Sequence, residues 1–112
     1  MQLSAKKYLY DILVSIDSIL DYIGEKRDFK DYQQSKMLRR AVEREIEIIG
    51  EAMNSLVKSY PEMEIPHARK IIDTRNFVIH GYDKVDDAVL WGIIINHLPK
   101  LQEEVKELLE AE

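Results

Sequence analysis

An apolar stripe of helical period runs through most of this chain and leaves little room for any architecture but packed helices. Leu9, Ile12, Leu13, Ile16, Ile19, Leu20 and Ile23 recur every three or four residues, which gathers them on one side of a helix. Ser4 is a candidate N-cap and Gly24 a stop. After the polar connection from Glu25 to Asp28, a second helical region is expected from about Asp28 to Val57. Its inward set is Met37 or Leu38, Ala41, Val42, Ile46, Ile49, Ala52 or Met53, and Leu56. Phe29 and Tyr32 fall in a separate first turn, because Asp31 to Ser35 is weakly apolar.

Pro61 and Pro66 bracket a break from Ser59 to Pro66, and Pro66 suits the first turn of a new helix. That third helix spans about His67 to His80, carries Ala68, Ile71, Ile72, Phe77 and Ile79, and ends near Gly81. Asp83 or Asp86 can cap a fourth helix that begins with Val89, Leu90, Ile93 and Ile94. Pro99 must bend or break it around Asn96 to Leu98, and Leu101, Val105, Leu108 and Leu109 continue the stripe. No segment alternates with period two for long enough to be a strand. The expected fold is all-α: an antiparallel bundle of four main helices, five with the break at Pro99, in one domain over residues 1–112.

Composition removes several function classes. Hydrophobic residues make up 46% and charged residues 33%, which fits neither a disordered nor a membrane-embedded chain. No apolar run approaches the ~20 residues of a bilayer span, and no signal peptide is visible around Lys6 and Lys7. Cysteine is absent, which excludes disulfides and thiolate metal sites and fits a reducing cytoplasm. The histidines are His67, His80 and His97, without a paired ligand spacing, so no metal site is expected.

The formal net charge of −5 argues against a general nucleic-acid binder. The sign is unevenly spread, however. Glu103, Glu104, Glu107, Glu110 and Glu112 crowd the end, whereas Lys36 to Arg44 and His67 to His80 are locally basic. Lys36, Arg40 and Arg44, spaced by four, line one exposed edge and can pair with Glu43 and Glu47. With Arg39, that edge is either a solvated, salt-bridged face or a guide for RNA.

The string Arg75-Asn76-Phe77-Val78-Ile79-His80-Gly81-Tyr82 concentrates chemistry around one glycine. Arginine stays protonated and can fork two donors onto a phosphate. Histidine can carry protons in both directions near neutrality. Together they suit transfer within RNA: a base takes the proton of a ribose 2′-hydroxyl, the oxygen attacks the adjacent phosphate, and an acid protonates the leaving 5′-oxygen. On an uninterrupted helix Arg75 and His80 stand roughly 140° apart around the axis, so sharing a face needs unwinding near His80, which Gly81 favours. Asn76 does share a face with His80 and is a candidate to hold one imidazole nitrogen. On spacing alone a structural reading stays open. His80 can be a satisfied helix-end residue, and Arg75 can pair with Asp73, Asp83 or a glutamate of the second helix.

Arg75 to Tyr82 matches Arg-x4-His-x-Tyr and resembles the signature of HepT-type toxins in the HEPN superfamily of helical ribonucleases. The segment Ala41 to Ala52, including Gly50, resembles that family's second helix; Asp83 to Asp86, Trp91 and Leu98-Pro99 resemble its fourth-helix region. The resemblance implies a four- to five-helix bundle that dimerises with both motifs meeting in an interface cleft. It also implies a metal-independent endoribonuclease without cofactor, with tRNA as substrate class, neutralised by a minimal nucleotidyltransferase antitoxin, MntA. Carried over by position, Arg75 and His80 are catalytic, Tyr82 is the adenylylation site and Asn76 supports them. Partners so implied are RNA, the antitoxin and a second copy, with a larger hetero-complex open, no membrane, and a cytoplasmic location.

Two other classes stay in view: a non-catalytic HEPN module that docks a nucleotidyltransferase or binds nucleotide, and a purely structural helical dimer. Glu47 and Glu51 are candidates to orient Arg75 by pairing. His67 reads as a surface residue at a helix start and His97 as structural. Trp91 and the tyrosines at positions 8, 10, 22, 32, 60 and 82 read as core and interface residues.

Overall fold

Each helix boundary has a local cause. The computed structural model describes residues 1–80 and 86–111. Helix α1 (Leu3–Ile23) ends at Gly24, whose N–H donates to the carbonyls of Leu20 and Asp21 and whose φ of 70° turns the following chain out of the helix. Its start differs from expectation. Gln2 holds the cap position without a side-chain bond, while Ser4 lies inside the helix and hydrogen-bonds the Tyr60 phenol.

The second region divides at Ser35 into α2 (Phe29–Gln34) and α3 (Lys36–Ser59). Asp28 accepts from the Lys30 N–H at 2.8 Å and caps α2, and Ser35 accepts from the Leu38 N–H at 3.1 Å and caps α3. The separate turn expected at Phe29 and Tyr32 is therefore a short helix with its own cap. Helix α4 (Ala68–His80) follows Pro66. Asp86 caps α5 (Asp87–Asn96) by accepting from the N–H groups of Ala88 and Val89. The fourth-helix stripe breaks at His97, and Pro99 sits in the first turn of α6 (Leu98–Glu110), where its missing N–H is no loss. The described residues thus form six helical segments and no strand. They are the four expected helices with two internal breaks.

Helix α3 is the central member, packed against α1 on one side and α4 on the other. Leu9, Ile12, Ile16 and Ile19 of α1 are buried, as are Val42, Ile46, Ile49, Met53 and Leu56 of α3. Each such side chain contributes roughly 1.5–3 kcal/mol by leaving water. Contacts of Tyr22 with Glu45 and of Ser4 with Tyr60 make α1 and α3 antiparallel. Phe29, Tyr32 and Trp91 form an aromatic cluster, with ring centroids 5.2–6.5 Å apart, that ties α2 to α5. Met37 is not inward; it is exposed, and Leu38 takes the half-buried place.

Along α4 the burial changes from one end to the other. Ala68, Ile71, Ile72 and Thr74 are buried, whereas Phe77, Ile79 and His80 are exposed. The helix therefore anchors by its first two turns and presents its last turn outward.

Candidate active site

Arg75 lies where α4 crosses α3, and the crossing is closed by a glycine. A Cβ added at Gly50 would overlap the Arg75 Cβ and stand 2.5 Å from its Cγ. Only hydrogen fits there, so α3 supports the aliphatic stem of the arginine directly. The guanidinium above that stem engages no carboxylate among the described residues. Its Nη1 donates to the Asn76 side-chain oxygen at 3.0 Å, and its Nε is enclosed without an acceptor. A buried donor left so costs about 1–3 kcal/mol, and the cation keeps capacity for an anionic acceptor.

The carboxylates expected to claim Arg75 are engaged elsewhere or open. Asp73 stands 3.9 Å from Arg69, and Glu47 stands 3.7 Å from Arg44. Glu51 is exposed and makes no ion pair among the described residues. Asp83 lies outside them. Asn76, which its spacing puts on the face of His80, turns its carbonyl oxygen to Arg75 and makes no hydrogen bond to His80 among the described residues.

Helix α4 keeps its α-helical course through His80, so unwinding at that residue is not found. Arg75 and His80 consequently point roughly 140° apart around the axis. Arg75 turns toward α3, and His80 is exposed at the helix end. One copy of the chain therefore displays the cation and the imidazole on different sides of α4, more than one turn apart. Tyr82 lies outside the described residues.

Next to this end of α4, Arg40, Glu43, Arg44 and Glu47 of α3 line a groove with Val78 and Ile79. Burial chiefly raises the Glu43 carboxyl above its usual range, and Arg40 pulls it back. Lys36, Arg40 and Arg44 are exposed, as their spacing indicated. Arg39 does not belong with them. Its side chain is half-buried, its Nη1 donates to the Gln33 carbonyl, and its Nε stands 4.0 Å from Asp87.

At the opposite end of α4, Glu104 of α6 accepts from the His67 N–H at 3.1 Å and also meets the His67 Nδ1. The His97 ring lies 5.9 Å from that of His67, with its Nδ1 buried and without a partner. Burial, then Lys70, His67 and Lys100, depress the His97 pKa. This cluster fixes the start of α4 to the α5–α6 junction, so His67 is more than a surface residue. No group of three His, Cys, Asp or Glu side chains that could hold a metal lies among the described residues. No described helix is long and apolar enough to cross a membrane.

Sequence reasoning missed the part played by Gly50. Its signal was present: a lone glycine inside twenty-four residues of otherwise sound helix. Nothing in the sequence marked Arg39 as different from Arg40, because its partners, Gln33 and Asp87, come from two other helices.

Comparison with known proteins adds a family. The model of the family described as "Ribonuclease HepT-like" matches residues 12–108. The chain is 34% identical to a putative RNase, MJ1380, of Methanocaldococcus jannaschii, over 90% of this chain and 93% of that one. It is 32% identical to a putative RNase, TTE0752, of Caldanaerobacter subterraneus subsp. tengcongensis, over 96% of both. It is 34% identical to a probable ribonuclease HepT of Thermococcus cleftensis, over 96% of this chain and 98% of that one. No solved structure matches.

Proposed function

The chain belongs to the ribonuclease HepT-like family of HEPN proteins, and on that premise we propose that it is a metal-independent endoribonuclease acting as the toxin of a toxin–antitoxin pair. Arg75 and His80 are its catalytic residues. The observation that carries this reading is an arginine braced on Gly50, facing no carboxylate among the described residues, one turn and a half before an exposed histidine.

In the proposed reaction His80 moves protons. As a base it takes the 2′-hydroxyl proton; the oxygen forms a bond to phosphorus, and the bond from phosphorus to the 5′-oxygen breaks. The leaving 5′-oxygen takes a proton from a second imidazole in its acid form, and a 2′,3′-cyclic phosphate remains. Arg75 donates to the non-bridging oxygens, whose charge grows as the fifth bond forms. In one copy the two side chains diverge, and a two-fold dimer supplies both groups, and the second imidazole, to one cleft. The substrate class is tRNA, and the chain works as one cytoplasmic domain.

Control passes through Tyr82. Adenylylation by an MntA-like nucleotidyltransferase places a phosphodiester charge and a base two residues from His80, where they compete with RNA for Arg75. Expression in cells tests the reading. The native chain arrests growth, and Arg75→Ala and His80→Ala each abolish the arrest at equal protein levels. Arrest that persists in both variants removes the catalytic assignment. The divergence of Arg75 and His80 in one copy favours a second reading, a non-catalytic module that docks the transferase or binds nucleotide. It forecasts no RNA cleavage by the native chain.

A further inference from the structure

The α3–α4 seam carries cations that the proposed cleavage does not use. Helices α3 and α4 are antiparallel, since Gly50 meets Arg75 while Arg40, Glu43, Arg44 and Glu47 meet Val78 and Ile79. The groove therefore runs from the Arg75 crossing toward the turn that ends in His80. Arg40 and Arg44 stand one turn apart along it, both exposed. The Arg44 guanidinium stands 3.7 Å from the Glu47 carboxylate, with side chains 68% and 32% accessible. A pair so open to water is weakly held. A phosphodiester accepts from arginine as a carboxylate does, through two oxygens. Arg39, held by Gln33 and Asp87, is not available for this. Glu43 and Glu47 face Arg40 and Arg44, so the groove is close to neutral while Glu47 stays on Arg44 and more cationic when Glu47 turns away.

We infer that Arg40 and Arg44 form a phosphate track that leads the RNA strand to His80, with Glu47 holding the Arg44 site until a phosphate replaces it. The inference rests on the ribonuclease reading and extends it to the path of the substrate. Continuity with the last turn of α4 favours RNA as the occupant, because Val78 and Ile79 form one wall and precede His80 directly.

Binding of a single-stranded RNA oligonucleotide, measured over a range of salt with the full chain in a His80→Ala background, tests it. Substituting both Arg40→Ala and Arg44→Ala weakens binding about tenfold and lowers the salt slope by roughly 1.4, at ~0.7 per lost phosphate contact. Glu47→Gln acts in the opposite direction and tightens binding roughly twofold to fivefold, as removal of a competitor must. Unchanged affinity and slope in the double variant overturn the track, and so does weaker binding in Glu47→Gln, the sign of a structural ion pair. Loss of the nucleotidyltransferase partner with RNA affinity intact assigns the groove to protein and overturns it as well. If the native chain neither binds nor cleaves RNA, the ribonuclease reading falls and takes the track with it. If the native chain cleaves and the variants bind like it, the track alone falls.

Discussion

Gly50 and Arg75 meet across the α3–α4 crossing with no room for a side chain between them, because the glycine site is filled by the arginine's own Cβ and Cγ. Those atoms sit close to the backbone of α4, so they cannot swing aside as the far end of a side chain would. Gly50→Ala gains up to ~1 kcal/mol in helix propensity and loses about 1–3 kcal/mol to overpacking. The expected outcome is a net loss of up to about 2 kcal/mol in urea unfolding, with RNA cleavage reduced by roughly 10²-fold as α4 moves. A variant with native stability and native cleavage would mean that the crossing does not position Arg75.

The His97 ring gives the fold a pH dependence of definite sign. Burial, and then Lys70, His67 and Lys100, hold its folded pKa below the ordinary value of 6.5. Its neutral form is thus favoured in the folded state. Stability from this group is complete above the unfolded pKa and declines as pH falls through the depressed folded value. Melting temperature followed from pH 7.5 down to about pH 5 should drop, and His97→Gln should shrink the drop. An identical decline in the variant would point to other groups.

The divergence of Arg75 and His80 around α4 predicts that a defective copy silences a native one. Native chain is unfolded and refolded with an excess of a chain carrying both Arg75→Ala and His80→Ala. The mixed dimers hold one arginine and one imidazole in the shared cleft and lack the second imidazole that the leaving oxygen needs. Cleavage of RNA per native chain is expected to fall as the excess grows. Cleavage per native chain that stays constant would place the whole site within one chain.

Tyr82→Phe should separate toxicity from its control. The phenol oxygen is the proposed acceptor of the AMP group, and phenylalanine has none, so the variant should cleave RNA and escape the antitoxin in cells. Mass spectrometry of the native chain after incubation with the transferase and ATP should find AMP on Tyr82. Modification at another tyrosine, with Tyr82→Phe still neutralised, contradicts the assignment.

Much of this fold could be read from residue order because its determinants are local. The stripe from Leu9 to Ile23, the stop at Gly24 and the cap at Asp86 each act within a few residues, and all three hold. The exposed edge of Lys36, Arg40 and Arg44 was equally legible, since spacing by four fixes a helix face. What stayed hidden depends on partners distant in sequence. Asn76 was assigned to His80 by helical spacing, but the orientation of Arg75 over Gly50 brings the arginine to it first. Gly81 suggested an unwound turn at His80, yet α4 stays helical to that residue. The His67–Glu104 contact joins residues thirty-seven positions apart and has no pattern a single chain displays.

Purified native chain, Arg75→Ala and His80→Ala incubated with tRNA in excess EDTA test the central claim most directly. Expected is cleavage by the native chain that leaves 2′,3′-cyclic phosphate ends, reduced by about 10²–10⁴-fold in each variant while both variants keep native helicity. Cleavage that vanishes in EDTA, or that survives in either variant at the native rate, would contradict a metal-free site built on Arg75 and His80.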